Sequence, residues 1–363
     1  MDFSIRETKE TNSKIPEDGN VNSRFKFPLF KQHKKWFQMA IYSILVLTGQ
    51  SSATLLGRLY FEKGGKSKYM AALVQSAGFP ILIPLLLITS SKNKPTRPEN
   101  FALPALYICF GTFLAFDCML YAIGLMHLPV STYSLLCASQ LGFNALFSCI
   151  LNSQKLTSFI VNSVFLLTVS TILLIFQPGP PGANTGTSGK FALGFICTLT
   201  GAALYAFLLS LEQLAYGKVL KGKTVNEILN VIFYESLVTS CLLLVGLFGS
   251  GEWRVLKDEM EGFELGGKVY VMVLVFGAFS WQVFGVGMVS LILKVSCLFG
   301  NVISTLNVGV VPVLGVVVFK DSMSGLKVVA LVLAVWGFLS FVYQQYVDEV
   351  KSRAENVNSP PRN

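Results

Sequence analysis

Apolar residues run through this chain in blocks of about twenty, long enough as helices to cross a hydrocarbon layer of roughly 30 Å. Ten such runs stand out, at residues 36–57, 69–89, 102–123, 130–151, 158–176, 191–211, 228–249, 268–290, 295–319 and 324–346. Short polar hinges separate them. None shows the short alternating segments that a membrane β-barrel needs. A helix closes its own backbone hydrogen bonds, so each run predicts a membrane helix. The expected fold class is an all-α polytopic membrane protein with ten transmembrane helices.

The widest hinges are 177–190 and 250–267. The first is rich in breakers, with Pro178, Gly179, Pro180, Pro181 and Gly182. It divides the spans into two groups of five. Five is odd, so an equivalent second group must sit inverted in the membrane, the arrangement of many secondary carriers. The expected organisation is a disordered cytoplasmic tail over 1–35, a first half over 36–176, a connector over 177–190, a second half over 191–346 and a cytoplasmic tail over 347–363.

Composition sharpens this picture. Hydrophobic residues make up 52% of the chain and charged residues 13%, about half the charged share of a soluble domain. Soluble, disordered and disulfide-rich classes are excluded. The 29 basic and 20 acidic residues leave a net charge of +9, but the basic ones cluster at the ends of apolar runs, where head groups act on them. No basic patch alternates with solvent-facing aromatics, so nucleic acid is not an expected partner. Lys31, Lys34 and Lys35 before the first span favour an N-terminus in the cytoplasm. Arg58, Lys63, Lys66 and Lys68 in the next hinge pull the other way. An even number of spans then puts both termini in the cytoplasm. Residues 1–35 contain no apolar core, so no cleavable signal peptide is predicted. The seven cysteines form no CxxC pair and read as packing residues. Two histidines, His33 and His127, cannot build a zinc site. No phosphate-binding loop, metalloprotease motif, nucleophile elbow or cofactor motif is present. The reading is a non-enzyme without cofactor or metal: a solute carrier driven by an ion gradient.

Polar side chains inside spans are where function is written in such proteins. Asp117 and Glu235 stand well inside apolar runs, with no Lys or Arg in the middle third of any span. A carboxyl group in hydrocarbon without a cation favours its neutral form. Either residue could carry a coupling proton; either could instead join two helices as a hydrogen-bonded acid. In the fourth span Tyr133, Cys137, Gln140 and Asn144 follow three- and four-residue steps and share one helix face. The amides of Gln140 and Asn144 each offer a donor and an acceptor, suited to the edge of a neutral heterocycle or to helix–helix bonding. Trp281 and Gln282 lie in the middle of the eighth span, where an indole can stack on a planar ligand or pack against other helices. Asn301, then Asn307 with Gly309 and Pro312, interrupt the ninth span, and Pro80 and Pro84 the second. Such interruptions in carriers mark bends beside a pocket.

These residues sit in longer stretches that resemble the plant purine permease family of the drug/metabolite transporter superfamily. The first stretch is Leu56-Gly57-Arg58 with Tyr60, Phe61, Gly64, Gly65 and Ser67, continued by Gln75, Gly78 and Pro80. The second runs from Leu120 and Tyr121 through Gly124, Pro129 and Ser131 to Leu135, then Ser139, Gln140 and Asn144. The third runs from Trp281 and Gln282 through Ser296, Asn301, Pro312 and Asp321 to Trp336 and Gly337. The resemblance covers about residues 38–347. It implies ten helices as two inverted five-helix repeats, and proton-coupled transport of purine bases and derivatives such as adenine and cytokinins. Some relatives take other nitrogenous solutes, such as alkaloids or vitamin B6 forms. Cys118, Cys297, Gly300, Asn307 and Gly309 depart from the family pattern and leave the substrate list open.

The expected substrate site comprises Gln140, Asn144, Trp281, Gln282, Asn301 and Tyr133, with Asp117 and Glu235 as proton-coupling residues. The expected partners are a purine-like small molecule, protons and the lipid bilayer, with the protein a monomer or weak oligomer. The plasma membrane is the expected location, an internal membrane the alternative. A uniporter, a carrier of other heterocycles and a non-transporting receptor or scaffold are the competing readings.

Overall fold

The structure, a computed structural model, describes residues 21–90, 102–153, 158–175, 185–219, 225–321 and 323–358, and every regular element among them is helical. Residues up to Ala40 form one compact unit, of which the opening of the first helix is described; Ile41 onward forms the other. The first five helices are α1 (Val21–Glu62), α2 (Lys68–Val74), α3 (Leu82–Ser90), α4 (Ala102–His127) and α5 (Val130–Cys137). Next come α6 (Ser139–Asn152), α7 (Ser158–Ile175), α8 (Thr185–Val219), α9 (Val225–Ser250) and the short α10 (Leu256–Glu261). The chain closes with α11 (Gly267–Lys294), α12 (Cys297–Thr305), α13 (Asn307–Phe319) and α14 (Gly325–Asn358).

Among the described residues eight segments are long and apolar enough to cross a membrane: Phe37–Glu62, Lys68–Thr89, Leu103–His127, Val130–Asn152, Gly189–Val219, Val225–Ser250, Gly267–Lys294 and Cys297–Phe319. The protein is an all-α polytopic membrane protein. The remaining two predicted spans coincide with α7 and with the start of α14, whose apolar stretch Gly325–Gly337 is shorter. Helices also extend into segments expected as tails: α1 begins at Val21 and α14 continues to Asn358. Extension costs little, because a formed helix adds residues without a new nucleus and Lys, Arg, Glu and Ala are good helix formers. Residues 1–20, most of the connector (177–184) and 359–363 lie outside the described residues.

Burial runs as a bilayer demands. Phe116, Val245 and Val317 are 65%, 71% and 72% exposed, while Asn144, Ser148, Ser210 and Thr239 are wholly enclosed. Buried hydroxyls join neighbouring helices. Thr239 donates to the Gly111 carbonyl at 2.9 Å, Ser170 to that of Ala330 at 2.8 Å, and Ser76 pairs with Ser240 at 2.9 Å. Glycine lets helices touch where these bonds form. A Cβ on Gly78 would overlap the Ala278 carbonyl oxygen, and one on Gly287 would lie 2.8 Å from that of Tyr42.

Three spans are broken. Between α2 and α3 the chain makes a 3-10 turn over Phe79–Ile81, where Gly78 and Pro80 end the regular pattern. The breaks at Ala138 and Leu306 are single-residue pivots that keep right-handed helical dihedrals but switch to i→i−3 hydrogen bonds on both sides.

At one end of the bundle the hinge after α1 is clasped by the hinge before α11. Glu259 of α10 is buried and accepts from the Tyr60 hydroxyl at 2.8 Å, the Lys66 amide at 3.0 Å and the Tyr270 hydroxyl at 3.4 Å. Glu252 accepts from the Ser67 hydroxyl at 2.7 Å and the Tyr69 amide at 3.2 Å. Ser67 also caps α2, accepting from the Met70 amide. Lys63 pairs with Glu264 at 2.9 Å, and this partner raises the Lys63 ammonium above its ordinary range. Nearby, Arg58 donates to the Leu125 and Leu128 carbonyls at the end of α4, where the helix dipole favours a cation.

Candidate functional site

A cavity opens in the middle of the bundle, with about 130 Å³ available to the centres of water-sized spheres. Its walls come from α1, α4, α5, α6, α8, α9, α11, α12 and α13, and from Gln75 just past the end of α2. Tyr133, Gln140, Trp281, Gln282, Asn301, Asp117 and Glu235 all line it. Residues from spans far apart in sequence thus converge on one space.

Asn144 does not join them. Its side chain is enclosed among α6, α8 and α12: Ser210 donates to its Oδ1 at 2.9 Å, Ser148 at 3.4 Å, and the Cys297 thiol approaches it at 3.8 Å. Gln140 and Asn144 both lie past the pivot at Ala138, one turn apart on α6. Four residues overshoot a full helical turn by about 40°, and where Gln140 meets the cavity, Asn144 meets the contacts of α6 with α8 and α12.

Two polar groups of different character line the cavity. The first is a set of interlocked amides. Gln140 donates from Nε2 to Asn301 Oδ1 at 2.7 Å and receives the Tyr121 hydroxyl at 3.3 Å, while Asn301 Nδ2 returns a bond to the Gln140 carbonyl at 3.3 Å. Asn307 donates to Gln50 Oε1 at 2.6 Å, and Ser304 donates to the same oxygen at 2.7 Å. Ser51 donates to Asn307 Oδ1. The second group is acidic. Asp117, Glu212 and Glu235 are all buried and line the cavity, and no Lys, Arg or His is among its lining residues. Tyr216 donates its hydroxyl to Glu235.

Gln282 donates to the Ser76 carbonyl at 3.2 Å, but its Oε1 has no partner. Asp117 Oδ1 is likewise buried without one. An orphaned buried acceptor costs about 1–3 kcal/mol, so each is a place where a ligand N–H gains. The Trp281 ring stands edge-on to Phe284, with centroids 5.5 Å apart. Tyr133 packs edge-on to Tyr121 at 6.0 Å. Among the described residues no three His, Cys, Asp or Glu side chains group to hold a metal ion.

Sequence reasoning missed Glu212, Gln50, Gln75 and Tyr205, all of which line the cavity. Glu212 lies one residue past the predicted end of the sixth span, whereas α8 continues to Val219 and keeps it buried. Gln50 and Gln75 lie within predicted spans beside Ser51 and Ser76, and their convergence on one space appears only when the helices are assembled.

The chain matches the family model for purine nucleobase transmembrane transport over residues 37–351. It is 50% identical to purine permease 21 of Arabidopsis thaliana over 331 residues, covering 89% of this chain and 84% of that one. It is 46% identical to the probable purine permease 10 of the same plant, over 96% of this chain and 91% of that one. A similar likeness, 46% over 89% and 86% of the two chains, holds for the probable purine permease 11. The interrupted spans and the amide-lined cavity thus belong to a chain that is a member of the plant purine permease family.

Proposed function

We propose that this protein carries purine bases and purine derivatives, adenine and cytokinins among them, across a membrane by alternating access. The observation that carries this reading is the central cavity, where the amides of Gln140 and Asn301 share one space with the aromatic Trp281 and the unpartnered acceptor of Gln282. An apolar chamber with a few convergent polar groups suits a small heterocycle. A purine edge alternates N–H donors and ring-nitrogen acceptors. Gln140 and Asn301, bonded to each other in this structure, exchange that bond for bonds to the ligand. The purine amino group or ring N–H meets Gln282 Oε1, and Trp281 and Tyr133 bound the ring faces. The scaffold around this site is ten spans in two inverted halves, with both termini in the cytoplasm and the plasma membrane as its location.

Transport is coupled to protons through the cavity carboxyls, Asp117 and Glu235 in the first instance. No basic residue is among the described residues that line the cavity, so a proton is the available counter-charge. Counterflow of radiolabelled adenine in liposomes containing only this protein tests the reading. Exchange of external label for internal adenine is the expected outcome. Its absence, with protein correctly inserted, overturns it. Repeating the assay over a panel of nitrogenous heterocycles at several pH values gives the substrate order and the coupling.

A further inference from the structure

Glu212 has no place in the reading above, yet it is buried, lines the cavity and makes no hydrogen bond among the described residues. It lies four residues before Tyr216 on α8, so the two share a helix face. Tyr216 reaches across to α9 and donates to Glu235. One carboxylate of the cavity therefore has a neutral donor that supports its charge, and the neighbouring one has none. We propose that Glu212 and Glu235 form a carboxyl pair that holds the transported proton, with Glu212 the member that binds and releases it and Glu235 the Tyr216-supported partner.

Two carboxylates confined together without a cation repel, and sharing one proton removes that repulsion. The groups around the pair are Tyr205 and Tyr216 on α8, Tyr107 on α4 and Cys297 on α12, with no basic side chain among the described cavity-lining residues. None of them supplies a positive charge to replace the proton. Asp117 differs from the pair in having a buried Oδ1 without a partner, open to a substrate N–H or to a proton. The transfer step is a simple association: water delivers a proton to a Glu212 carboxylate oxygen on one side of the membrane and removes it on the other, and no covalent bond to the purine forms.

This inference rests on the proposed purine transport, and the test separates the two. Full-length protein is placed in liposomes under an imposed pH gradient at zero potential. One proton per substrate supports at most about tenfold accumulation per pH unit, since a pH unit and a tenfold concentration ratio are the same free energy. Wild type is expected to approach that value. Glu212→Gln is expected to accumulate no adenine above equilibrium while still exchanging it in counterflow at a reduced rate. Glu212→Asp, which keeps the carboxyl group, is expected to recover part of the accumulation. Glu212→Gln that still accumulates adenine like wild type overturns the proposal. So does loss of counterflow in both Glu212 variants, which marks the residue as structural. Accumulation that follows a sodium gradient in place of the proton gradient also overturns it. Wild type without any counterflow fails the transport reading itself.

Discussion

The two spans broken at a single residue, Val130–Asn152 and Cys297–Phe319, can be laid side by side. The first divides into helices of 8 and 14 residues, the second into helices of 9 and 13. At the first pivot the Ala138 amide bonds to Leu135 and the Leu141 amide to Ala138; at the second, Leu306 bonds to Ile303 and Gly309 to Leu306. Each span ends on a left-handed residue, Ser153 at φ 53° and Lys320 at φ 54°. These are the only non-glycine residues with positive φ among the described residues. The helices pack reciprocally, α5 against α13 and α6 against α12. Each half of one span thus meets the opposite half of the other. The side chains break this likeness. Val130–Asn152 sends one amide, Gln140, into the cavity and keeps Asn144 for helix packing, while Cys297–Phe319 sends both Asn301 and Asn307. The backbone device occurs twice and the chemistry on it differs. Two spans of like backbone can therefore present an asymmetric site.

The largest expected effect comes from removing one of the two amides that face each other across the cavity. Asn301→Ala deletes a ligand bond, and about 1–3 kcal/mol is at stake, roughly five- to 150-fold in adenine affinity. Competition against labelled adenine in proteoliposomes measures it. Each amide gives up its bond to the other and bonds the ligand separately, so the Gln140→Ala, Asn301→Ala double variant should lose close to the sum of the two single losses. A double variant little worse than either single one would show that the two amides act only through each other.

A smaller effect tests the division of labour within the fourth span. Asn144→Ala strips the acceptor from Ser210 and Ser148, at a cost of about 1–2 kcal/mol in stability. A lowered Tm in detergent is expected, with adenine affinity within about twofold of wild type. An affinity loss matching that of Gln140→Ala would return Asn144 to the binding site. The smallest effect concerns the matched span ends. A left-handed residue other than glycine costs about 1 kcal/mol, so Ser153→Gly and Lys320→Gly should each raise stability by up to that amount. Equal gains in Tm support the equivalence of the two ends, and a gain in one alone breaks it.

The spans are legible in the sequence because a bilayer needs long apolar runs, and that signal is strong. Asp117, Glu235, Trp281, Gln282 and Asn301 are legible too, since a polar group in an apolar run is conspicuous against its surroundings. The pivot at Ala138 is not. Alanine fits a helix and a 3-10 turn alike, so nothing in Leu136-Cys137-Ala138-Ser139 announces the change of hydrogen bonding. Nor does anything in the sequence mark that Asn144, one turn past Gln140 on α6, bonds toward α8 and α12. In the ninth span Asn307, Gly309 and Pro312 do announce an interruption, yet the pivot falls at Leu306, and Pro312 lies within α13. Glu212 is hidden by a boundary. Hydropathy falls where charge begins, so the apolar run ends at Leu211. The helix α8 nevertheless carries its buried face past that point, to Glu212 and Tyr216, and only the assembled bundle reveals this.

The clasp between the hinge after α1 and the segment before α11 has a consequence for how the protein responds to its medium. Glu252 and Glu259 take their hydrogen bonds from tyrosine and serine hydroxyls and backbone amides. Among the described residues the ion pair that crosses from one hinge to the other is that of Lys63 with Glu264, and both are solvent-accessible. Dissolved ions screen exposed charge pairs within about 10 Å at 0.1 M salt, and act far less on buried bonds from neutral donors. Separating these elements is thus a matter of exchanging one set of neutral donors for water. The separation of these two hinges should proceed at nearly the same rate in dilute and in concentrated salt.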